Sequence, residues 1–259
     1  MILKSRKLAT LLSGTASVVL LQMTGAHWNG SNLGGLTPAA IALETNLSYS
    51  PPQDLDAPKA SRGTGSRGCN EAVTEAAPLS LTLLVPDDHT GLTASGHPTF
   101  SWHLSEAPEV AVEFSLVEPG VAQPLLTKTL DDVKAGVGSV TLPEELPQLE
   151  AGKKYRWSVT VICNENRRSS DIFAQAWIQR ADRTEAVEAE VTPQMSAGDR
   201  AEVYAKAGLW YDALAAISEA YRADPENQAI AAQRQSLLEQ VGLNQVAEAA
   251  ISTSSTPAE

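Results

Sequence analysis

Tyr155-Arg156-Trp157-Ser158-Val159-Thr160-Val161-Ile162-Cys163 is the stretch that decides the fold. Its bulky residues fall at every second position, so Tyr155, Trp157, Val159, Val161 and Cys163 share one face of an extended strand and Arg156, Ser158 and Thr160 the other. A strand with one apolar face has to bury it against another layer. Working outward, the same period recurs in Leu79, Leu81, Leu83 and Val85, in Phe100, Trp102 and Leu104, and in Val112, Phe114 and Leu116. It recurs again in Leu126 and Leu130, in Val140 and Leu142, and in Ile172, Ala174, Ala176 and Ile178. Pro, Gly and Asp turns separate the runs. Seven such strands within about 100 residues, over 69–180, predict an aligned antiparallel β-sandwich.

Two local features point to a particular kind of sandwich. Leu149-Glu150-Ala151-Gly152-Lys153-Lys154-Tyr155 resembles the turn and tyrosine that open the sixth strand of immunoglobulin-like and fibronectin-type modules, where the phenol hydroxyl bonds back to the turn. Pro98-Thr99-Phe100-Ser101-Trp102 resembles an early core strand of the same modules. The cysteines depart from the immunoglobulin pattern, because Cys69 precedes the first strand.

Beyond Arg180 the pattern becomes helical. A charged linker, 181–195, leads to a helix capped by Ser196 or Asp199 and ended by Gly208. A second helix is predicted from Trp210 to Ala223, before Asp224-Pro225, and a third from Glu226 to Gln240, stopped by Gly242. Ala201, Tyr204, Gly208, Trp210, Ala213, Ile217, Ala220 and Pro225 resemble the small, aromatic and proline positions of one tetratricopeptide repeat. The fold class expected is therefore mainly β with α: an immunoglobulin/fibronectin-like antiparallel β-sandwich followed by a short tetratricopeptide-like helical region over 196–243. A lone repeat cannot bury its apolar face, so the hairpin is expected to dock on the sandwich, on its third helix or on another chain. The tail, 244–259, is read as disordered.

The N-terminal end reads as an export signal over 1–26: Lys4, Arg6 and Lys7, an apolar run from Leu8 to Met23, and Thr24-Gly25-Ala26 as a small-x-small exit. The run is broken by Ser13, Gly14, Thr15 and Ser17, and is short for a hydrocarbon layer of about 30 Å. No later segment is long and apolar enough to make the mature chain an integral membrane protein. Residues 27–68, rich in Gly, Ser, Pro, Asn and Asp, read as a disordered tether with too little apolar area to offset the entropy of ordering it. In an oxidising compartment the two cysteines, Cys69 and Cys163, are expected to form a disulfide that staples the arm onto the strand ending at Cys163. A metal or redox site would need a Cys-x-x-Cys pair or histidines at ligand spacing, and neither is present. The formal charge of −12 makes nucleic acid an unsuitable partner.

Taken in order, several motifs resemble a cyanobacterial family of exported proteins known only as a domain of unknown function. They are Arg62-Gly63-Thr64-Gly65-Ser66-Arg67-Gly68-Cys69, Gly91-Leu92-Thr93 with His97-Pro98-Thr99-Phe100, Gly152-Lys153-Lys154-Tyr155-Arg156-Trp157, Ile162-Cys163, and Gly208-Leu209-Trp210-Tyr211-Asp212-Ala213-Leu214. The resemblance implies a shared architecture and export, and no reaction.

Candidate chemistry is sparse. Gly63-x-Gly65-x-x-Gly68 matches a dinucleotide fingerprint in letters, but it follows a Pro-rich coil where that motif needs a strand before it and a helix after it. No cofactor is therefore expected. Asp87, Asp88, His89, His97 and His103 form the one acid and imidazole group that could serve a metal or a general base, at spacings that fit no ligand template. No serine lies in a Gly-x-Ser-x-Gly elbow outside the signal. Aromatic residues make the better case: Trp177 faces away from Ala176 and Ile178 and with Phe173 and Gln175 could form a platform for a sugar ring or another protein, unless that face is covered by the helical hairpin, whose Trp210 and Tyr211, further binding-surface candidates, must also pack somewhere. The expectation is a non-enzymatic binding or adaptor protein with a protein partner, in the periplasm or outside the cell. The alternatives are a carbohydrate-binding envelope protein using exposed aromatics, and a hydrolase around Asp87, His89 and His103.

Overall fold

The computed structural model describes residues 47–52, 69, 79–182 and 184–252, the last four as backbone only. The signal at 1–26 and the glycine motif at 63–68 lie outside the described residues. Among those described, eight strands and five α-helices form a mixed α/β protein with two sheets. A three-stranded sheet runs in the order β1 (Leu81–Leu83), β3 (Thr99–Leu104), β6 (Gly136–Thr141). A five-stranded sheet runs in the order β2 (Gly91–Thr93), β8 (Ile172–Arg180), β7 (Lys154–Val161), β4 (Val112–Val117), β5 (Leu126–Leu130). All pairings are antiparallel except β2 with β8, which is parallel.

The period-two reading places the buried faces correctly. Phe114 lies opposite Val159 and Leu116 opposite Trp157 on one face of the β4–β7 pair, and all four are fully buried. Phe100 of the other sheet meets the rings of Phe114 and Trp157 at 5.2 Å each, so the two sheets face each other across an aromatic centre. Rings in tilted contact at this distance add about 1 kcal/mol per pair beyond area burial. The Tyr155 hydroxyl accepts from the Glu150 N–H at 3.0 Å across the turn at Gly152, as the sequence predicts. Cys69 and Cys163 are bonded, with Cα atoms 4.7 Å apart.

Strand β2 lies outside the seven runs read from the period-two pattern, since three residues carry too little alternation to register. It matters because it seats the helices. The helices are α1 (Glu185–Glu190), α2 (Ala197–Lys206), α3 (Trp210–Ala223), α4 (Gln228–Glu239) and α5 (Asn244–Ser252). At the start of α3, Trp210 donates its indole N–H to the Leu84 carbonyl at 2.8 Å. The Tyr211 hydroxyl accepts from the Trp157 indole N–H at 2.8 Å and donates to the Trp177 carbonyl at 3.1 Å. Next along the chain, Asp212 accepts from the Ala94 N–H at 2.9 Å and the Thr93 hydroxyl at 3.2 Å, tying α3 to the end of β2. Gly91 permits this approach: a Cβ there would lie 2.8 Å from the Tyr211 ring. The hairpin of α2 and α3 thus docks on the sheets, one of the three placements anticipated.

Three boundary expectations need correction. Residues 47–52, placed in a disordered tether, pack against the helices: Leu47 and Tyr49 are buried. The Gln240 side chain accepts from the Tyr49 N–H at 2.9 Å and donates to the Leu47 carbonyl at 2.8 Å, while the Ser50 N–H donates to the Ala205 carbonyl at 3.0 Å. Two apolar anchors and paired backbone groups offset the ordering cost that composition alone made prohibitive. The linker 181–195 contains α1, whose acidic first turn suits a helix N-terminus. The disordered tail expected from 244 instead begins with α5, in which Val246 and Ala247 are buried.

Candidate functional site

The four aromatic candidates divide into two pairs. On β8 the alternation places Ala174, Ala176 and Ile178 in the core and leaves Phe173 and Trp177 on the outer face of the five-stranded sheet. Phe173 is 38% exposed and, among the described residues, is the one exposed aromatic ring; Trp177 is half-buried. Across the ladder, Trp177 faces Arg156 and Phe173 faces Thr160. Trp210 and Tyr211 are not surface residues, which corrects their place among the binding-surface candidates. Their exposures are 0% and 2%. Burial pushes the Tyr211 hydroxyl well above its usual range. The pair anchors α3 because each ring carries a polar handle that finds a buried partner.

The acid and imidazole residues are held by separate partners. His89 is buried; its Nδ1 bonds Asp88 at 2.7 Å and its Nε2 bonds the Tyr49 hydroxyl at 2.7 Å. Stacking of the Tyr49 and His89 rings, 5.6 Å apart, makes this relay part of the packing around residues 47–52. His97 bonds the Leu146 carbonyl at 3.1 Å. His103 is on β3, facing away from the aromatic centre. Among the described residues there is no group of three or more His, Cys, Asp or Glu side chains that could hold a metal ion. Asp212, which the sequence reading did not single out, is a buried carboxylate whose pKa burial raises to about 6, against the opposing effect of the Ala94 N–H and Thr93 hydroxyl.

A cleft of about 710 Å³ opens between the outer face of β3 and β6 and the C-terminal half of α3 with α4. Its floor carries hydroxyls and an imidazole, including Ser101, His103 and Ser139; its roof carries Ser218, Tyr221 and Arg234. Arg234 is 7% exposed. Its guanidinium lies 5.1 Å from the centre of the Tyr221 ring. The Arg234 Nε–H and the Ser218 hydroxyl are shielded from solvent and have no hydrogen-bond partner among the described residues. Sequence reasoning passed over Arg234, although a signal existed: Ile230, Arg234, Leu237 and Leu238 fall on one stripe of α4, and a cation in an apolar stripe is out of place.

A protein of this kind, two facing sheets with helices anchored by buried aromatics, has a counterpart among known families. The chain belongs to the family described as Domain of Unknown Function (DUF928), whose model matches residues 62–251. No curated protein matches the chain. Among solved structures it is similar to a multi-domain immunophilin from Arabidopsis thaliana at 7% identity, covering 80% of this chain and all of that one with a TM-score of 0.21. No helix among the described residues is long and apolar enough to cross a membrane.

Proposed function

We propose that the chain is an exported, non-enzymatic adaptor: an immunoglobulin/fibronectin-like sandwich, carrying a tetratricopeptide-like helical region, that binds a protein partner in the periplasm or outside the cell. The observation that carries this reading is the outer face of β8, where Phe173 stays exposed and Trp177 half-buried while Phe100, Trp102, Phe114, Trp157, Trp210 and Tyr211 are buried. Phe173 stands four residues from Trp177 on one face of the strand, and Trp177 faces Arg156 across the ladder, so this face carries residue types enriched at the centres of protein interfaces. The disulfide supports export, because such bonds persist in oxidising compartments. The Tyr155 bond to the turn supports the immunoglobulin-like assignment, and the Ser196 cap with the Gly208 stop supports the repeat-like hairpin.

The test uses mature protein, a Phe173→Ala variant and a Trp177→Ala variant, each crosslinked in envelope extracts of the source organism. One partner recovered by the native protein and lost with Phe173→Ala supports the adaptor. The same proteins recovered by all three, or none, refute it. A glycan is the alternative occupant of this face, since Gln175 and Arg156 put hydrogen-bonding groups beside the rings. Glycan arrays comparing native protein with Trp177→Ala decide it, and equal signals remove that alternative.

A further inference from the structure

The cleft roofed by α3 and α4 has a feature that the adaptor reading does not use. A guanidinium taken out of water needs an anion or a full set of hydrogen-bond acceptors, because an unpaired buried charge loses its hydration with nothing in return. Among the described residues Arg234 has neither: its Nε–H is unpartnered, no ion pair joins it to a carboxylate, and its guanidinium lies over the face of Tyr221. The carboxylate on the cleft lining, Glu219, is already engaged by Arg200 at 2.8 Å. Burial lowers the Arg234 pKa, and the one opposing influence is Tyr221 rather than an acid. The second cation on the lining, Arg222, is exposed at the mouth. In a chain of net charge −12 this is a local reversal of sign, with a charge donor facing a space large enough for a small organic molecule.

We propose that this cleft is a binding site for a small organic anion, whose oxyanion head pairs with Arg234 and accepts from the Ser218 hydroxyl while its body lies along the hydroxyl-bearing floor of β3 and β6. A guanidinium suits a carboxylate, phosphate or sulfate head because its planar fork presents paired donors. The free Ser218 hydroxyl supplies a further donor, and Ser101, Ser139 and His103 offer polar contacts to a hydroxylated body. Long-range repulsion from the acidic surface is screened within about 10 Å at ordinary salt, whereas the guanidinium acts at contact.

The probe is sulfate, titrated into the full mature protein at ionic strength held constant with sodium chloride. Thermal unfolding is followed for the native chain and for Arg234→Met, which keeps the stem and removes the donors. The native protein is expected to gain stability with sulfate and the variant to bind it about tenfold or more weakly, the loss of one charge-assisted pair. Equal gains in both proteins overturn the proposal. Should Arg234→Met not fold, the Arg234 Nε–H resonance of the native protein, assigned with Arg234→Lys, serves instead. A saturable shift on adding sulfate supports the site, and an unmoved resonance overturns it. Glucuronate and glucose 6-phosphate, run against neutral glucose, then separate a carboxylate head from a phosphate head; binding of glucose equal to both also counts against the anion requirement.

Discussion

Replacing Tyr211 by Phe removes one oxygen atom and tests how the helices are fastened to the sheets. The Tyr211 ring remains in edge contact with Phe100 at 5.9 Å and with Trp157 at 6.4 Å, and Phe keeps those contacts. What is lost is the hydroxyl between the Trp157 indole N–H at 2.8 Å and the Trp177 carbonyl at 3.1 Å. With Trp157 fully buried, no water can replace the acceptor. A donor left unpaired in such a place costs about 1–3 kcal/mol, so a loss of about 2 kcal/mol is expected, with a fall in Tm of about 4–8 °C for a body of this size. Urea unfolding and calorimetry of the mature protein read both quantities. A double-mutant cycle with Trp157→Phe isolates the bond, with an expected coupling of about 1 kcal/mol or more. A loss below about 0.5 kcal/mol, the range of neutral surface changes, would show that the hydroxyl bridge is not what holds α3 in place.

Two further outcomes follow from the buried carboxylate and the disulfide. Asp212 has its pKa raised from 3.8 to about 6, so the folded state holds this proton more tightly than the unfolded chain. The stability it contributes is complete below the unfolded value, declines as pH rises through the folded one, and is absent at neutral pH, a swing of about 3 kcal/mol. Asp212→Asn removes that titration, so native and variant stabilities measured from acid to neutral pH should diverge, the native protein losing ground as pH rises; parallel curves would contradict the assignment. For the Cys69–Cys163 bond, with a sequence separation of 94, the chain-entropy model gives about 4–5 kcal/mol. Cys69→Ser should lower the urea midpoint accordingly, and labelling of intact native protein should find no reactive thiol; two reactive thiols would rule the bond out.

Much of the framework was legible from residue order because its causes are local. Period-two burial of Phe114, Trp157 and Ala176 follows from the pleat, the start of α3 at Trp210 from the break at Gly208, and its end at Asp224-Pro225 from proline geometry. The pairing of Cys69 with Cys163 needed only that two cysteines were present. Strand β2 was not legible, because a three-residue parallel partner of β8 is recognised by what it pairs with rather than by its own pattern. The same holds for residues 47–52: their composition is that of a tether, and their order comes from Gln240 and Trp210, some 190 and 160 positions away in sequence.

Sequence by itself determined which faces are apolar, where α2 and α3 start and stop, and which sulfurs can join, since each depends on neighbours within a few residues or on a count. Tertiary structure alone decided that Trp210 and Tyr211 are anchors instead of a surface, and that Arg234 lines a cleft without a counter-charge. An aromatic or charged side chain looks alike in sequence whether it meets water or protein. What separates the two cases is the partner brought to it by folding, and no local pattern encodes that.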